Sequence, residues 1–455
     1  MEHEGNESAD DLEVDLLVIG AGMAGMSAAG YAAQQGLSVG VVERAPRPGG
    51  SALLSGGFCW APDDLDTARK QNPDGSPELT AVLVNDYARA LDWVESLGVD
   101  VSPRVVARVN TFPSHGRTID ILSFLRRMQS FLEEGGGWLV TGADVDELIV
   151  EGGRVHGARV RDRDGSVTVR SRWTLLASGG FQNSTALRRD YLDVSADDII
   201  IRSNHYSEGR GIQLALSVGA ALSPHMNSFY GHLMPAPLAQ PVKPSDYVRL
   251  AQLYSPRGVL INRGGERFCD ESLSYHHNGR AVARLDESRA LLVGDDSVLS
   301  VDRSGYGGAT EVVDRVTEAR DAGAHVAVAW TFGELSKQVM TWGYFDIGPA
   351  MERFNSDMTG SGTGSPPRKN ARRPLDSPPY FAVEVQPAIT YTMGGPLIDE
   401  RARVLNAGRE PIDGLLAAGA DAGGLYHEAY LGGISMGLTF GRRAAATAAG
   451  LDEVQ

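Results

Sequence analysis

Apolar residues first gather in residues 14–43, VDLLVIGAGMAGMSAAGYAAQQGLSVGVVE. The run Leu16-Leu17-Val18-Ile19 ends at Gly20-Ala21-Gly22-Met23-Ala24-Gly25. An alanine-rich stretch of good helix formers continues to Gly36, and residues 37–42 form a second apolar run closed by Glu43. This order predicts one βαβ unit. The later part of residues 64–97 predicts a helix with Leu83, Tyr87, Leu91 and Val94 on or near one face, where core packing accounts for them. From Trp138 the pattern turns to strands, with hairpin-like turns at Gly152-Gly153 and Asp164-Gly165. That stretch reads as an antiparallel meander feeding a buried strand at 174–177, which halts at Ser178-Gly179-Gly180-Phe181.

Beyond Ala221 the texture changes. Residues 226–378 are richer in His, Tyr, Pro and Met and close with the loop-like GSGTGSPPRKNARRPLDSPP; residues 379–455 return to strands and glycines. The expected organisation is a solvated tail at 1–11 and a nucleotide domain at 12–225, completed by 379–455. A second domain, 226–378, is inserted between its two parts.

The βαβ stretch carries the first chemistry. Gly20 permits a tight turn, Gly22 lets backbone approach a pyrophosphate, Gly25 packs helix on strand, and the helix N-terminus offers unpaired N–H groups. Glu43 stands where a carboxylate accepts from ribose hydroxyls. With strand, helix, second strand and acid all present, dinucleotide binding outweighs a merely structural glycine turn. A second glycine-rich region, Arg47-Pro48-Gly49-Gly50-Ser51 followed by residues 53–62, is expected as a loop along the middle of the ligand.

Composition narrows the field. A formal charge of −16 disfavours nucleic acid and anionic lipid as partners. Two cysteines, Cys59 and Cys269, are too few for a disulfide framework, and the N-terminus is acidic where a signal peptide is basic, so a cytoplasmic location is expected. No apolar run of about 18 residues suggests a spanning helix. No metal site is expected, and without a haem-attachment or iron–sulfur cysteine set, electrons must leave to an external acceptor.

The motifs GAGMAGMSAA, Glu43, GGSALLSGG, LLASGGF, GVLINRGGERFCDES, YTMGGPLIDERARVLN, PIDGLLAAGADAGG and LTFGRRAA follow one another over most of the chain. Together they resemble the fumarate reductase and succinate dehydrogenase flavoprotein family, which includes the 3-ketosteroid dehydrogenases. The resemblance implies an α/β fold: a Rossmann-type FAD-binding domain, parallel sheet plus antiparallel meander, with an inserted α+β capping domain over the substrate. Carried over by position, it implies FAD contacts from Gly20, Gly22, Ala24, Gly25, Glu43 and Arg44, and from Gly49, Gly50, Ser51, Gly56 and Gly57. Val145 is expected by the adenine, with Ser178, Gly179, Gly180 and Gly211 also at the site. Gly419, Asp421, Ser435 and Met436 are expected at the ribitol and pyrimidine end. The fumarate-reductase branch has glutamate where this chain has Ala420, leaving Asp421 as a neighbouring substitute, and aspartate where it has Arg210. No histidine stands near Gly50-Ser51, so noncovalent FAD is expected.

The resemblance also marks departures. Where the dicarboxylate enzymes place an arginine proton donor, a second arginine and a histidine, this chain has Tyr275, Tyr430 and Tyr391. Without guanidinium groups a bidentate carboxylate clamp is lost. A phenol with a backbone N–H instead polarises a ketone, and a second phenol removes the α-proton while the β-hydrogen leaves to the flavin as hydride. The 3-ketosteroid dehydrogenases run this reaction with tyrosines, and the late motif of residues 430–437 looks closer to the Δ4-(5α) branch. The expected roles are Tyr430 with the Gly433 N–H as polariser, Tyr275 as base and Tyr391 as auxiliary; cleft-wall packing is the plain alternative for each. His276, His277 and His427 are candidates for tuning these phenols, and Cys59 reads as a buried inert thiol. Three functions stay open: a dehydrogenase acting beside a ketone in a steroid-like or smaller cyclic substrate, an ene-reductase of the fumarate or urocanate type, and a flavoprotein without turnover.

Overall fold

The computed structural model describes residues 12–109, 112–192, 194, 197–299, 313–360, 364–427 and 429–452; the expected tail, 1–11, lies outside them. The leading apolar run becomes the strand Leu12–Ile19, in the middle of the largest sheet. Leu16, Leu17 and Val18 are wholly buried, as a strand covered on both faces requires. Strand order is Arg403–Leu405, Pro411–Ala417, Ser166–Leu176, Leu12–Ile19, Val39–Glu43, Trp138–Thr141. The last five run parallel and Arg403–Leu405 is an antiparallel edge. Strands Asp144–Glu151 and Arg154–Arg161 form the expected meander with Ser166–Leu176, turning at Gly152-Gly153.

Helix Met23–Gln34 packs on helix Gly433–Ala448 and on helix Ile121–Glu134. The first crossing is close because Gly437 and Gly441, four apart, sit against Met23 and Ala24, leaving no room for a Cβ. The helix expected in the later part of 64–97 is Pro77–Ser96, with Leu83, Tyr87, Leu91 and Val94 buried on it, and a shorter helix, Leu65–Gln71, precedes it. Residues 58–62, expected in a loop, form the strand Phe58–Pro62 of a three-stranded sheet with Phe112–Thr118 and Val105–Val109. The aromatic side chains of Phe58 and Trp60 favour a strand over the coil suggested by the preceding glycines.

A second sheet is built on one long strand, Tyr380–Thr392. Its first half pairs with Ala290–Asp295 and Val326–Ala329, its second with Phe229–Pro235 and Ile200–Ile201. The division expected at 225/226 and 378/379 does not coincide with the division of strands between sheets, because Ile200–Ile201 and Tyr380–Thr392 belong to this second sheet. Its core is pinned by Glu271, wholly buried and held by Arg267 (Nη2–Oε2 2.8 Å) and Arg368 (Nη1–Oε2 3.0 Å). Arg368 comes from the segment expected to be plain loop; its N–H groups also reach the Pro256 and Gly258 carbonyls. Among the described residues no helix is long and apolar enough to cross a membrane.

Candidate active site

Where the strand Leu12–Ile19 gives way to its helix, the chain lines a cavity of about 1170 Å³. Gly20 has φ +106°, and a Cβ there would overlap the Ala177 carbonyl of the neighbouring strand end. A Cβ on Gly25 would overlap the Gly20 carbonyl, so Gly25 is the helix-on-strand contact. A Cβ on Gly22 meets no protein atom within 4 Å and would project into open space at the helix N-terminus. The three glycines thus divide the labour as a dinucleotide cradle needs: turn, backbone approach, packing. Glu43 is buried beside them, Oε2 accepting from the Ala21 N–H and Oε1 from the Ala45 N–H, both at 2.7 Å. Burial raises its pKa, while these amides and Arg44 pull it down.

Gly20, Gly22, Ala24, Glu43, Arg44, Gly50, Ser51, Val145, Ser178, Gly179, Gly419, Tyr391, Tyr430 and Gly433 all line this cavity. The adenosine end fits Glu43 and Val145. Beside them Arg44 and Arg210 both approach Asp144, Arg210 at 3.0 Å. Other expected contacts stand back from the wall. Gly49, Gly57, Gly180 and Gly211 abut Leu53, the Ile119 carbonyl, Thr392 Oγ1 and the Asp421 carboxyl, and Gly56 faces a second cavity. Ser435 hydrogen bonds to the Trp60 carbonyl and touches Cys59 Sγ, and Met436 is wholly buried. Asp421, proposed as a substitute for the missing acid, turns away: its Oδ2 accepts from the Ser178 N–H and Oγ–H, and Ala420 takes the wall position. Burial pushes the Asp421 pKa up to about 6. Neighbours along a short 3₁₀ turn or a helix point in different directions, and sequence position alone does not say which faces the ligand.

The second cavity, about 740 Å³, adjoins the first; Ser51, Ser55, Thr390, Tyr430 and Ile434 line both. Tyr430 therefore stands at their junction, its hydroxyl against Gly433, the first residue of helix Gly433–Ala448. Tyr391 lines the first cavity only, its hydroxyl 3.2 Å from Met436 Sδ, and burial raises its pKa well above the usual range. Tyr275 lines neither cavity. Its hydroxyl lies 3.5 Å from that of Tyr230, and its ring stacks on that of His232 at 4.9 Å and 7°. Tyr230 itself is on the second cavity's wall, its ring stacked on that of Tyr430 at 3.9 Å and 16°.

Tyr230, His232 and Arg202, all on that wall, were not singled out in the sequence. The available signal was Tyr-x-His within an apolar run: two residues apart on strand Phe229–Pro235, both side chains share one face. His232 lies 3.4 Å from the Tyr230 hydroxyl through Nε2 and 3.1 Å from Arg202 Nη1 through Nδ1. Burial, then Arg202, drives its pKa well down, and burial with Arg280 does the same for His276. Of the tuning candidates, His276 packs on Tyr230 at 5.8 Å, whereas His427 stacks on His225 at 3.6 Å. Cys59 is wholly buried with its thiol pushed up to about 12, an inert group.

The chain is 28% identical to a fumarate reductase (cytochrome) of Shewanella frigidimarina over 97% of this chain and 78% of that protein. It is 25% identical to a 3-oxosteroid 1-dehydrogenase of Mycolicibacterium smegmatis, over 95% and 96%. The solved structure of a 3-ketosteroid-Δ4-(5α)-dehydrogenase from Rhodococcus jostii RHA1 shares the fold, with a TM-score of 0.75 at 20% identity, covering 98% of each chain. Together with the cradle of glycines and Glu43, the match of residues 15–436 to the family model described as FAD binding domain means that this chain belongs to that family.

Proposed function

We propose that this flavoprotein is a dehydrogenase that introduces a carbon–carbon double bond next to a ketone in a cyclic, largely apolar substrate. The observation that carries the reading is the position of Tyr430 at the junction of the two cavities, with its hydroxyl on Gly433. A ketone oxygen at that junction would have beside it a phenol O–H and the N-terminal end of a 16-residue helix, both suited to developing negative charge. The second cavity suits an apolar ring through Leu54, Phe58, Trp60, Leu253 and Ile434. Tyr230, on the same cavity's wall with its ring stacked on that of Tyr430, and Tyr275 beside it are the phenols proposed to take the α-proton.

FAD, when bound, supplies the two-electron acceptor for this oxidation. Gly20, Gly22 and the helix N-terminus hold its pyrophosphate and Glu43 its ribose, and Tyr430 and Gly433 border its far end. No His or Cys is among the described residues lining the first cavity, which supports a noncovalent cofactor released by acid precipitation. Reoxidation falls to an external electron acceptor.

Reduction of an activated double bond is the second reading. Relatives of both kinds occur at similar identity, and Arg202 brings a cation to the second cavity. Its Nε and Nη1, however, serve the Tyr247 carbonyl, His232 and Thr390, which leaves a different geometry from a carboxylate fork. Anaerobic mixing decides between them. Bleaching of the oxidised flavin by a cyclic ketone is the expected result. Reoxidation of the reduced flavin by an enone or acrylate, with no bleaching by any saturated ketone, would refute the dehydrogenase reading.

A further inference from the structure

We infer that Tyr230, and not Tyr275, is the phenol that touches the substrate as base, and that Arg202, His232 and Tyr275 are positioning residues that hold its oxygen ready to lose a proton. This rests on the dehydrogenase reading above and assigns a residue to it. The direction of the hydrogen bonds follows from which groups can donate. Arg202 is donor-only, so at 3.1 Å from its Nη1 the His232 Nδ1 must accept. His232 is buried and neutral, so its one proton sits on Nε2, 3.4 Å from the Tyr230 hydroxyl oxygen. The Nε2–H therefore donates to Tyr230. Tyr275, whose hydroxyl is 3.5 Å away, can turn its O–H toward the same oxygen and so add a second donor. Two donors so arranged meet at the oxygen of a residue that lines the second cavity, and donors to that oxygen favour a phenolate over a phenol. Contacts of this length tighten as the charged form develops.

The charged surroundings agree. Tyr230 is faced by Tyr430 from the segment before the last helix, by Tyr275 and His276 from helix Tyr275–Ala283, and by His232 on its own strand. Both histidines are kept neutral, and the nearest full charges behind them are Arg202 and Arg280, each favouring an anion in front. Arg202 is itself fixed by Thr390 Oγ1 at 2.9 Å and the Tyr247 carbonyl at 2.7 Å, so the tautomer of His232 is set by the fold. In the reaction the C–H bond alpha to the ketone breaks, its proton passes to the Tyr230 oxygen, and its electron pair moves into the new double bond. FAD, when bound, would supply the acceptor for the hydride equivalent that leaves the beta carbon.

The test uses the FAD-loaded enzyme and two readouts. Near-ultraviolet titration of the phenolate band should show one tyrosine ionising below the rest. That signal should be lost in Tyr230→Phe and moved upward by about one pH unit in Tyr275→Phe and in Arg202→Met, with Arg202→Lys restoring part of the shift. Turnover of a ketone that bleaches the flavin should fall about 100-fold or more in Tyr230→Phe, with KM and flavin content little changed. In Tyr275→Phe the fall should be smaller, with the alkaline-side gain in rate moved to higher pH. Full turnover in Tyr230→Phe, or a low-pH phenolate that survives Tyr230→Phe and vanishes in Tyr275→Phe, would overturn the assignment. If no ketone bleaches the flavin while the titration behaves as expected, the dehydrogenase reading fails and the ionisation of Tyr230 stands.

Discussion

Gly22→Ala and Gly25→Ala separate holding the cofactor from holding the fold. Gly22 caps helix Met23–Gln34 with φ −77° and ψ −168°, an extended conformation open to any residue, and its Cβ would touch no protein atom within 4 Å. Alanine there is a poorer cap by roughly 1 kcal/mol or less. About 0.4–1 kcal/mol returns through reduced freedom of the unfolded chain. The flavin-free protein should thus change stability by less than about 1 kcal/mol. The same methyl lies where a pyrophosphate must approach the helix N-terminus. Losing two charge-assisted hydrogen bonds, each about 1.5–3 kcal/mol, weakens FAD binding by about 100-fold or more. Gly25→Ala acts oppositely. Its methyl meets the Gly20 carbonyl, which is backbone and cannot swing aside, so the helix must lift off the strand at a cost of about 3 kcal/mol. Denaturant unfolding of flavin-free protein and titration with FAD followed by flavin fluorescence measure the two quantities. Wild-type FAD affinity in Gly22→Ala, or a loss of stability there as large as in Gly25→Ala, would refute the reasoning.

Three further outcomes are expected. Asp421, with its pKa pushed up to about 6 by burial, binds a proton more tightly folded than unfolded, so its contribution to stability falls as pH rises from about 4 to about 6. Relative to Asp421→Asn, the wild type should lose about 3 kcal/mol across that window and nothing further above it, read by unfolding at each pH; a difference independent of pH would contradict this. Glu271→Gln leaves Arg267 and Arg368 buried without their shared carboxylate and should destabilise by about 3–5 kcal/mol, measured by thermal unfolding; a loss under about 1 kcal/mol would mean that the surrounding carbonyls suffice. Tyr430→Phe removes a donor at the cavity junction and should lower kcat about 100-fold while FAD content stays at wild-type level, with turnover and flavin absorbance as the two measurements.

What could be read in the sequence was set by local rules. The strand, glycine turn, helix and acid of residues 14–43 are contiguous, so pattern and spacing place Gly20, Gly22, Gly25 and Glu43 correctly with respect to one another. The meander was legible for the same reason: Gly152-Gly153, both at positive φ, joins strands adjacent in sequence. The second cavity was not legible in the same way. Its wall combines Ser55, Arg202, Tyr230, Val248, Thr390 and Tyr430, from segments whose meeting depends on sheet pairing far apart in the chain. A resemblance carried over by position names Tyr275 but cannot show that Tyr230 lies beside it on the cavity wall. Likewise, Arg368 sits in a stretch of Ser, Pro and Arg with every compositional mark of an exposed loop, yet its side chain is buried because Glu271 awaits it.

The long strand Tyr380–Thr392 has a consequence for how the two halves of the molecule can be separated. At about 3.3 Å per residue it is a rod of roughly 40 Å. One end pairs with Ala290–Asp295, while at the other Thr392 Oγ1 receives the Phe181 N–H and Thr390 and Tyr391 border the first cavity. The segment expected as a cap, 226–378, is therefore tied by strand pairing to a strand outside it and not strung on a pair of tethers. Excising 226–378 as a cassette would strip three of the rod's four partner strands and leave its apolar edge bare, so shortened versions should precipitate, and cap swaps among relatives should succeed only when the rod travels with the cap.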